Sequence, residues 1–435
     1  MSAAIEPGTV KRALSAHAAI GLVAGALLYL VSLTGTICVF AKELQRIEQP
    51  AAPEMAHISP DAVQRGVEAM LAAEAGKPAT GHLYVHMPSA DLPRATITTD
   101  NGARHLHPDG SLAETEEIAW TDFLVALHYK LNLPSLIGIS IVGGLGVMML
   151  ALSLSGVVAH PRIFRDAFRL RARDKGGVGL ADWHNRLSVW TLPFSIAIAL
   201  TGAAIGLASL TAFSVASASY GGDTEAVFAT IFGEEPTPDK AAAPVPDVAS
   251  ALRYMASAQP DVAVDYVVLE DPQTAGQAMR LIGKPERRLI FGEYYGFDAG
   301  GRFTGTVGLA DGALGQQAAA STYDLHFGNF GGLWVKIAYV VFGAALTAIC
   351  ATGTYIWLGK RRRRGRDEPV LRAGWDGVVW GAPLALAATY IARHAWGNEA
   401  PFAAIFWIIY LIVFIAFIVL KYNKVSYLKK STLAS

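Results

Sequence analysis

Leu127-His128-Tyr129-Lys130 and Leu325-His326-Phe327-Gly328 are two versions of one pattern. Each histidine stands just ahead of a long apolar run. Each run ends in a small hydroxyl–glycine pair, Ser155-Gly156 or Thr352-Gly353, and then in a dense basic cluster. The step from histidine to glycine is 28 residues in the first version and 27 in the second. Two more histidines, His17 and His184, open two other apolar runs. There the glycine of Thr34-Gly35 or Thr201-Gly202 follows eighteen residues after the histidine. The chain thus reads as a duplication in which His17 matches His184 and His128 matches His326.

The bulk composition suits a membrane protein. Of 435 residues, 52% are hydrophobic and only 17% charged, and the mean hydropathy is +0.34. These values are more apolar and less charged than a soluble domain shows. Net charge is zero, so there is no global signature of nucleic-acid binding. Two cysteines, Cys38 and Cys350, are too few for an iron–sulfur or cysteine–zinc site, and both lie in apolar runs. The polar lead with Lys11 and Arg12 resembles a signal peptide. The run behind it is too long, so a retained helix is expected.

Uncharged runs cover 18–41, 131–159, 187–220, 337–359, 377–392 and 400–420. A helix rising 1.5 Å per residue needs about 20 such residues to cross a bilayer core. Six membrane helices are expected, the fifth being short and interrupted by Pro383. The divisions are helix 1 at 12–41, an outer domain at 42–120, helix 2 with an interfacial lead at 121–160, and a basic loop at 161–183. Helix 3 follows at 184–212, a linker and second outer domain at 213–325, helix 4 at 326–359 and a basic loop at 360–374. Helices 5 and 6 take 375–394 and 400–421, and a tail takes 422–435. The basic clusters (Arg162 to Lys175, Lys360 to Arg366, Lys421 to Lys430) fall on one side, which the positive-inside rule makes cytoplasmic. Both termini are then inside, and the two long connections are periplasmic.

Those connections look alike. Ser59-Pro60-Asp61 and Pro246-Asp247 each announce a helix N-terminus. Short alternating runs follow: HLYVHM and RATITTD in the first, VDYVVLED, QAMRLIG and RRLIFGEYYGFD in the second. Turn residues separate them. Each connection reads as a small α+β domain. The stretch 221–246, rich in Gly, Pro and Ala, reads as a mobile linker.

With these stretches in view, the chain resembles the PepSY-associated transmembrane family, which includes iron-regulated inner-membrane proteins and ferric-siderophore reductases. The likeness is carried by SAHAAIGLVAGALLYLVSLTGTICVF, SGVVAHPRIFRDAFRLR, ADWHNRLSVWTLPFSIAIALTG and LHFGNFGG, and spans roughly residues 10–365. It implies PepSY-like outer domains, b-type haem in the bundle, and electrons delivered to periplasmic ferric chelates. The two helices after Arg366 depart from the simplest four-helix members.

Neutral imidazole is a strong axial ligand for haem iron, and a helix bundle can seat the macrocycle between facing helices. The topology puts His128 and His326 at the outer ends of their helices, so they are assigned to a periplasmic-side haem. The repeat pairs His17 with His184 on a cytoplasmic-side haem. His160 lies at the same depth without a repeat partner. Helix-end position leaves open whether it replaces one of that pair or contacts a haem propionate. The hydroxyl–glycine pairs allow close helix approach or room for a porphyrin face. His82, His86, His105 and His107 are read as ordinary domain histidines, ahead of a metal site. Trp120 and the Tyr294-Tyr295 pair are read as packing or interface aromatics, ahead of substrate contacts.

The function expected is that of a di-haem b oxidoreductase of the bacterial inner membrane. It would reduce a ferric siderophore and release Fe(II). No GxGxxG or P-loop stands in a strand–helix context, so the donor is expected to be a quinol, a flavin or a redox protein. The rival from another class is a non-enzymatic PepSY-type sensor or protease regulator, which needs no paired intramembrane histidines. A transporter is disfavoured because the spans hold almost no acidic residue.

Overall fold

The computed structural model describes residues 6–160, 178–234, 237–285 and 289–433. The basic loop expected at 161–183 therefore lies mostly outside the described residues, with Arg162, Arg165 and their neighbours. The chain divides into two units. One takes 1–39, 119–207 and 331–435; the other takes 40–118 and 208–330.

The first unit is helical. Its elements are α1 (Pro7–Cys38), α4 (Ala119–Lys130), α5 (Ser135–Ala159), α6 (Val178–Trp190), most of α7 (Leu192–Ser219), α11 (Gly332–Arg363), α12 (Pro369–Trp396) and α13 (Phe402–Leu433). Five of these (α1, α5, α7, α11 and α13) are long and apolar enough to cross a membrane. The remaining expected span, the fifth, corresponds to α12. It forms as a helix, but Arg372, Asp376, Arg393 and His394 keep it below the apolarity of the other five.

Two breaks set the histidines apart from the spans that follow them. Leu131 and Asn132 adopt left-handed backbone (φ 53° and 54°) between α4 and α5, a conformation that β-carbons resist. Gly138 permits the tight turn, since a Cβ there would lie 2.2 Å from the Lys130 carbonyl oxygen. Between α6 and α7 the break falls at Thr191, just before Pro193, whose ring and missing N–H interrupt a helical ladder.

Ala24, Leu28, Leu145, Met149, Ala199 and Leu346 make the core where α1, α5, α7 and α11 meet. Glycine brings two of these helices into backbone contact. A Cβ on Gly206 would sit 2.6 Å from the Gly143 Cα, so α5 and α7 touch without side chains between them.

The second unit is built on one antiparallel sheet of eight strands, β4-β3-β2-β1-β5-β6-β7-β8. The strands are β1 (His82–His86), β2 (Thr96–Thr99), β3 (Gly102–Leu106), β4 (Leu112–Thr115), β5 (Val262–Glu270), β6 (Ala278–Pro285), β7 (Glu293–Phe297) and β8 (Phe303–Thr306). The five expected runs fall on β1, β2, β5, β6 and β7, the last only over Glu293–Phe297, while β3, β4 and β8 form outside them. The two outer segments do not stay separate domains, however. β1 pairs with β5, from His82 opposite Glu270 to His86 opposite Tyr266, and joins both halves into one sheet. Each half would otherwise leave a long unpaired edge, with its backbone donors and acceptors exposed.

Helices α3 (Pro60–Ala73) and α9 (Val248–Ala258) cover one face. Their caps are those the sequence announced. Ser59 accepts from the Ala62 N–H, and Asp247 accepts from the Ser250 N–H. Val67, Met70, Leu83, Ile97, Leu269 and Leu281 are among the residues they bury. Shorter helices α2 (Ala41–Glu48), α8 (Thr224–Phe232) and α10 (Leu314–Phe327) complete the unit. The stretch expected as a linker contains α8. Asp223 caps it by accepting from the Ala226 N–H, and Ile231 and Phe232 pack on the small core around Ile290, Leu309 and Ala320.

Candidate functional site

Three of the four repeat histidines have a described Nδ1 hydrogen bond, and all three sit in the same kind of seat. His17 of α1 donates from Nδ1 to the Leu152 carbonyl of α5 at 3.1 Å, with Ser155 Oγ at 3.2 Å. His128 of α4 donates from Nδ1 to the Val31 carbonyl of α1 at 3.0 Å. His184 of α6 places Nδ1 2.9 Å from Thr352 Oγ1 of α11 and also bonds the Ile349 backbone. In each case the carbonyl belongs to the residue three before a Ser or Thr and four before a glycine. That glycine receives the ring. A Cβ on Gly35 would lie 2.6 Å from His128 Cε1. On Gly156 it would lie 3.4 Å from His17 Cε1, and on Gly353 3.6 Å from His184 Cε1.

The hydroxyl–glycine pairs are therefore seats for imidazole rings. The sequence suggested only that they allow close helix approach or room for a porphyrin. Nor does a pair seat the histidine of its own run: Thr34-Gly35 holds His128, and Ser155-Gly156 holds His17. The fourth pair, Thr201-Gly202, holds the matching sequence position in α7.

The seats fix ring chemistry as well as position. A carbonyl can only accept, so Nδ1 of His17 and of His128 carries the proton. Thr352 donates its own hydroxyl hydrogen to the Ala348 carbonyl at 2.7 Å, so it meets His184 as an acceptor. All three neutral rings then hold their lone pair on Nε2, the arrangement that suits a metal ligand oriented by a second hydrogen bond. Among the described residues, Nε2 of His17 and of His184 has no hydrogen-bond partner.

His160 caps the end of α5. His17, His160 and His184, three of the expected ligands, lie in the same unit. His128 sits at the end of α4 in that same unit. His326 ends α10 in the other unit, its ring edge-on to Phe327 at 5.6 Å. His17 and His184 thus each present a ring locked in one tautomer with an open Nε2.

The remaining sequence candidates have other work. Both ring nitrogens of His105 are taken, by Thr96 Oγ1 at 2.9 Å and Gln49 Oε1 at 3.1 Å. His86 reaches Thr98 Oγ1. Among the described residues no group of three or more His, Cys, Asp or Glu side chains is placed to hold a metal ion. Trp120 donates to Thr389 Oγ1 at 3.1 Å and stacks edge-on to Tyr390, a packing role. Tyr295 is buried in the sheet core, and Tyr294 packs against Phe232 and Phe291.

A polar cluster stands on α12, where the sequence singled out no site residue. Tyr355 Oη donates to Asp376 Oδ1 at 2.6 Å, and Trp375 Nε1 donates to the Ala351 carbonyl at 2.9 Å, beside the Thr352-Gly353 seat. An aspartate inside an otherwise apolar stretch was the available signal.

Apolar helices long enough to span a bilayer, joined to a sheet-based unit, define a multi-pass membrane protein. Comparison with known proteins makes this specific. Residues 14–360 match the family described as the PepSY-associated TM region, and the chain belongs to that family. It is also similar to the uncharacterized protein PA4219 of Pseudomonas aeruginosa, with 28% identity over 274 residues. That stretch is 55% of this chain and 64% of the relative, so the match spans just under two thirds of the relative's length.

Proposed function

We propose that the protein is a haem-b oxidoreductase of the bacterial inner membrane that passes electrons to a periplasmic ferric siderophore and releases Fe(II). The observation that carries this reading is the repeated seat, in which Nδ1 is bonded and the ring rests on glycine, with Nε2 of His17 and of His184 left to ligate. A histidine that served only packing would not need the same tautomer lock on three separate helix pairs. His17 and His184 would hold one haem, with His160 beside them as an alternative ligand or a propionate contact. The sequence repeat assigns His128 and His326 to a second.

Bound haem would supply a reversible one-electron iron couple. The chain's part is to present Nε2, to keep Nδ1 protonated against a fixed acceptor, and to exclude water with α1, α5, α7 and α11. The bond at Nδ1 raises imidazole basicity and so sets the ligand's strength. Ferric iron in a siderophore is held by hard oxygen donors. Reduction weakens that grip and frees the metal. The basic clusters at 360–366 and near the C-terminus support this reading, since the positive-inside rule favours cytoplasmic termini and a periplasmic sheet unit.

The test is a dithionite-reduced minus oxidised spectrum of the detergent-purified chain, with a pyridine haemochrome count. A b-type signal near two haems per chain is expected, followed by ferric-siderophore reduction in liposomes. A flat spectrum after haem-supplemented expression removes the reductase reading and leaves the PepSY-type sensor.

A further inference from the structure

Helix α12 lies beyond residue 360, where the family match ends, yet three polar contacts bind it to α1 and α11. Tyr29 Oη donates to the Val379 carbonyl at 2.8 Å, Trp375 Nε1 to the Ala351 carbonyl at 2.9 Å, and Tyr355 Oη to Asp376 Oδ1 at 2.6 Å. A Cβ on Gly25 would lie 3.5 Å from the Trp375 ring and 3.6 Å from Thr354 Oγ1. Ala351 and Thr354 flank Thr352-Gly353, so α12 docks beside the seat of His184.

The third contact differs in kind. Tyr29 and Trp375 use backbone carbonyls, which any residue supplies. Asp376 brings a carboxylate among apolar helices, where a charge is costly and its retention points to function. Tyr355 occupies one carboxylate oxygen; among the described residues the other has no hydrogen-bond partner. Asp376 and Tyr355 are only half-buried, so the pair is reachable from the side of the bundle. Arg372, exposed and one turn earlier, holds its guanidinium 5.5 Å from the Tyr355 ring centre. Gly359, one turn beyond Tyr355, leaves space, since a Cβ there would meet only the Arg363 guanidinium at 3.8 Å. Tyr355 precedes the basic cluster that starts at Lys360 by about 7 Å of helix, a depth just inside the apolar layer.

We propose that Asp376, Tyr355 and Arg372 bind the headgroup of an isoprenoid quinol, the electron donor of the reductase proposed above, on which this inference rests. A quinol is lipid-soluble, reaches a side-facing site through the bilayer, and carries two hydroxyl groups that must lose protons when it is oxidised. One hydroxyl donates to the open oxygen of Asp376. Arg372 supplies a donor to a carbonyl oxygen of the product, while Tyr355 keeps its hydroxyl on Asp376 Oδ1 and orients the carboxylate. Oxidation of one quinol breaks two O–H bonds and gives one quinone, two protons and two electrons. The first proton goes to the Asp376 carboxylate, the second to water. Two ferric chelates take one electron each and become ferrous.

The experiment uses the full chain in nanodiscs with a photoreactive azidoquinone analogue. Label is expected on peptides containing Tyr355 or Asp376, competed by excess short-chain quinone. It should fall about tenfold in the Tyr355→Phe/Asp376→Leu double variant, which loses two hydrogen bonds. Asp376→Asn keeps the shape and the label. It should slow haem reduction by a short-chain quinol about a hundredfold, as loss of a general base does, while dithionite reduction is unchanged. Label elsewhere, label unchanged in the double variant, or an Asn variant at the parent rate overturns the proposal. A haem count on the same samples separates the two readings. Specific label without haem removes the reductase and keeps the quinone site; haem without label keeps the reductase and discards this donor site.

Discussion

At the scale of single residues, the three seats differ in tightness, and this gives a graded expectation. Gly35 has no room for a methyl group, because its Cβ would meet His128 Cε1 at 2.6 Å, whereas Gly156 and Gly353 have ordinary or nearly ordinary contacts. Gly35→Ala should therefore push the His128 ring off its acceptor, costing about 1–3 kcal/mol of stability. It should also alter the spectrum of one haem population, while Gly353→Ala leaves the spectrum close to wild type. Thermal melts and reduced-minus-oxidised spectra of the two variants check this ordering. Thr352→Val removes the hydroxyl that meets His184 Nδ1 but leaves the Ile349 carbonyl. About 1 kcal/mol is expected from the lost bond, with a shifted midpoint potential in redox titration that Thr352→Ser restores. The seats were half legible in sequence. The Ser/Thr-Gly pairs stand out by repetition, but the accepting carbonyls belong to Leu152, Val31 and Ile349, whose side chains carry no signal.

At the scale of elements, glycine decides which helices touch. A Cβ on Gly377 would come 2.8 Å from the Phe414 Cα, and Gly374 and Gly381 line the same seam between α12 and α13. Gly377→Val must separate these backbones. It should lower the melting temperature in detergent by the equivalent of about 1–3 kcal/mol while leaving the seats on α1, α5 and α11 and their haem content intact. Loss of haem in that variant would show that the final two helices support the site rather than stand beside it. The apolar runs were readable because uncharged stretches of this length have few other uses. The breaks at Leu131-Asn132 and at Thr191 were not. Neither Leu131 nor Asn132 advertises left-handed backbone as a glycine would, and the uncharged run 187–220 continues through Thr191.

At the scale of the whole molecule, the two outer segments share one sheet, so the second unit responds to pH as one body. Burial, with the Lys42 charge adding to it, depresses His86 to about 4; burial and then the Arg94 guanidinium depress His105 to about 4, against a slight opposing pull from Glu114. A histidine held below its unfolded value of 6.5 binds its proton more readily when unfolded. The contribution to stability is thus complete above pH 6.5 and is lost as pH falls towards 4, by about 3 kcal/mol for each group. Hydrogen exchange of β1 to β3, corrected for intrinsic rate, should show protection falling across that window. His105→Gln should flatten the fall.

The sequence by itself determined the membrane class, the duplication, the helix caps at Ser59 and Asp247, five of the eight strands, and four histidines worth examining. These depend on local composition and period, which the chain carries in every short window. Only the tertiary structure decided that β1 and β5 close the two halves into one sheet. It also decided that Thr34-Gly35 seats His128 rather than the histidine of its own helix, and that α12 brings Asp376 to Tyr355. Each of these joins residues far apart in the chain, through backbone groups or packing surfaces that any of several sequences could present.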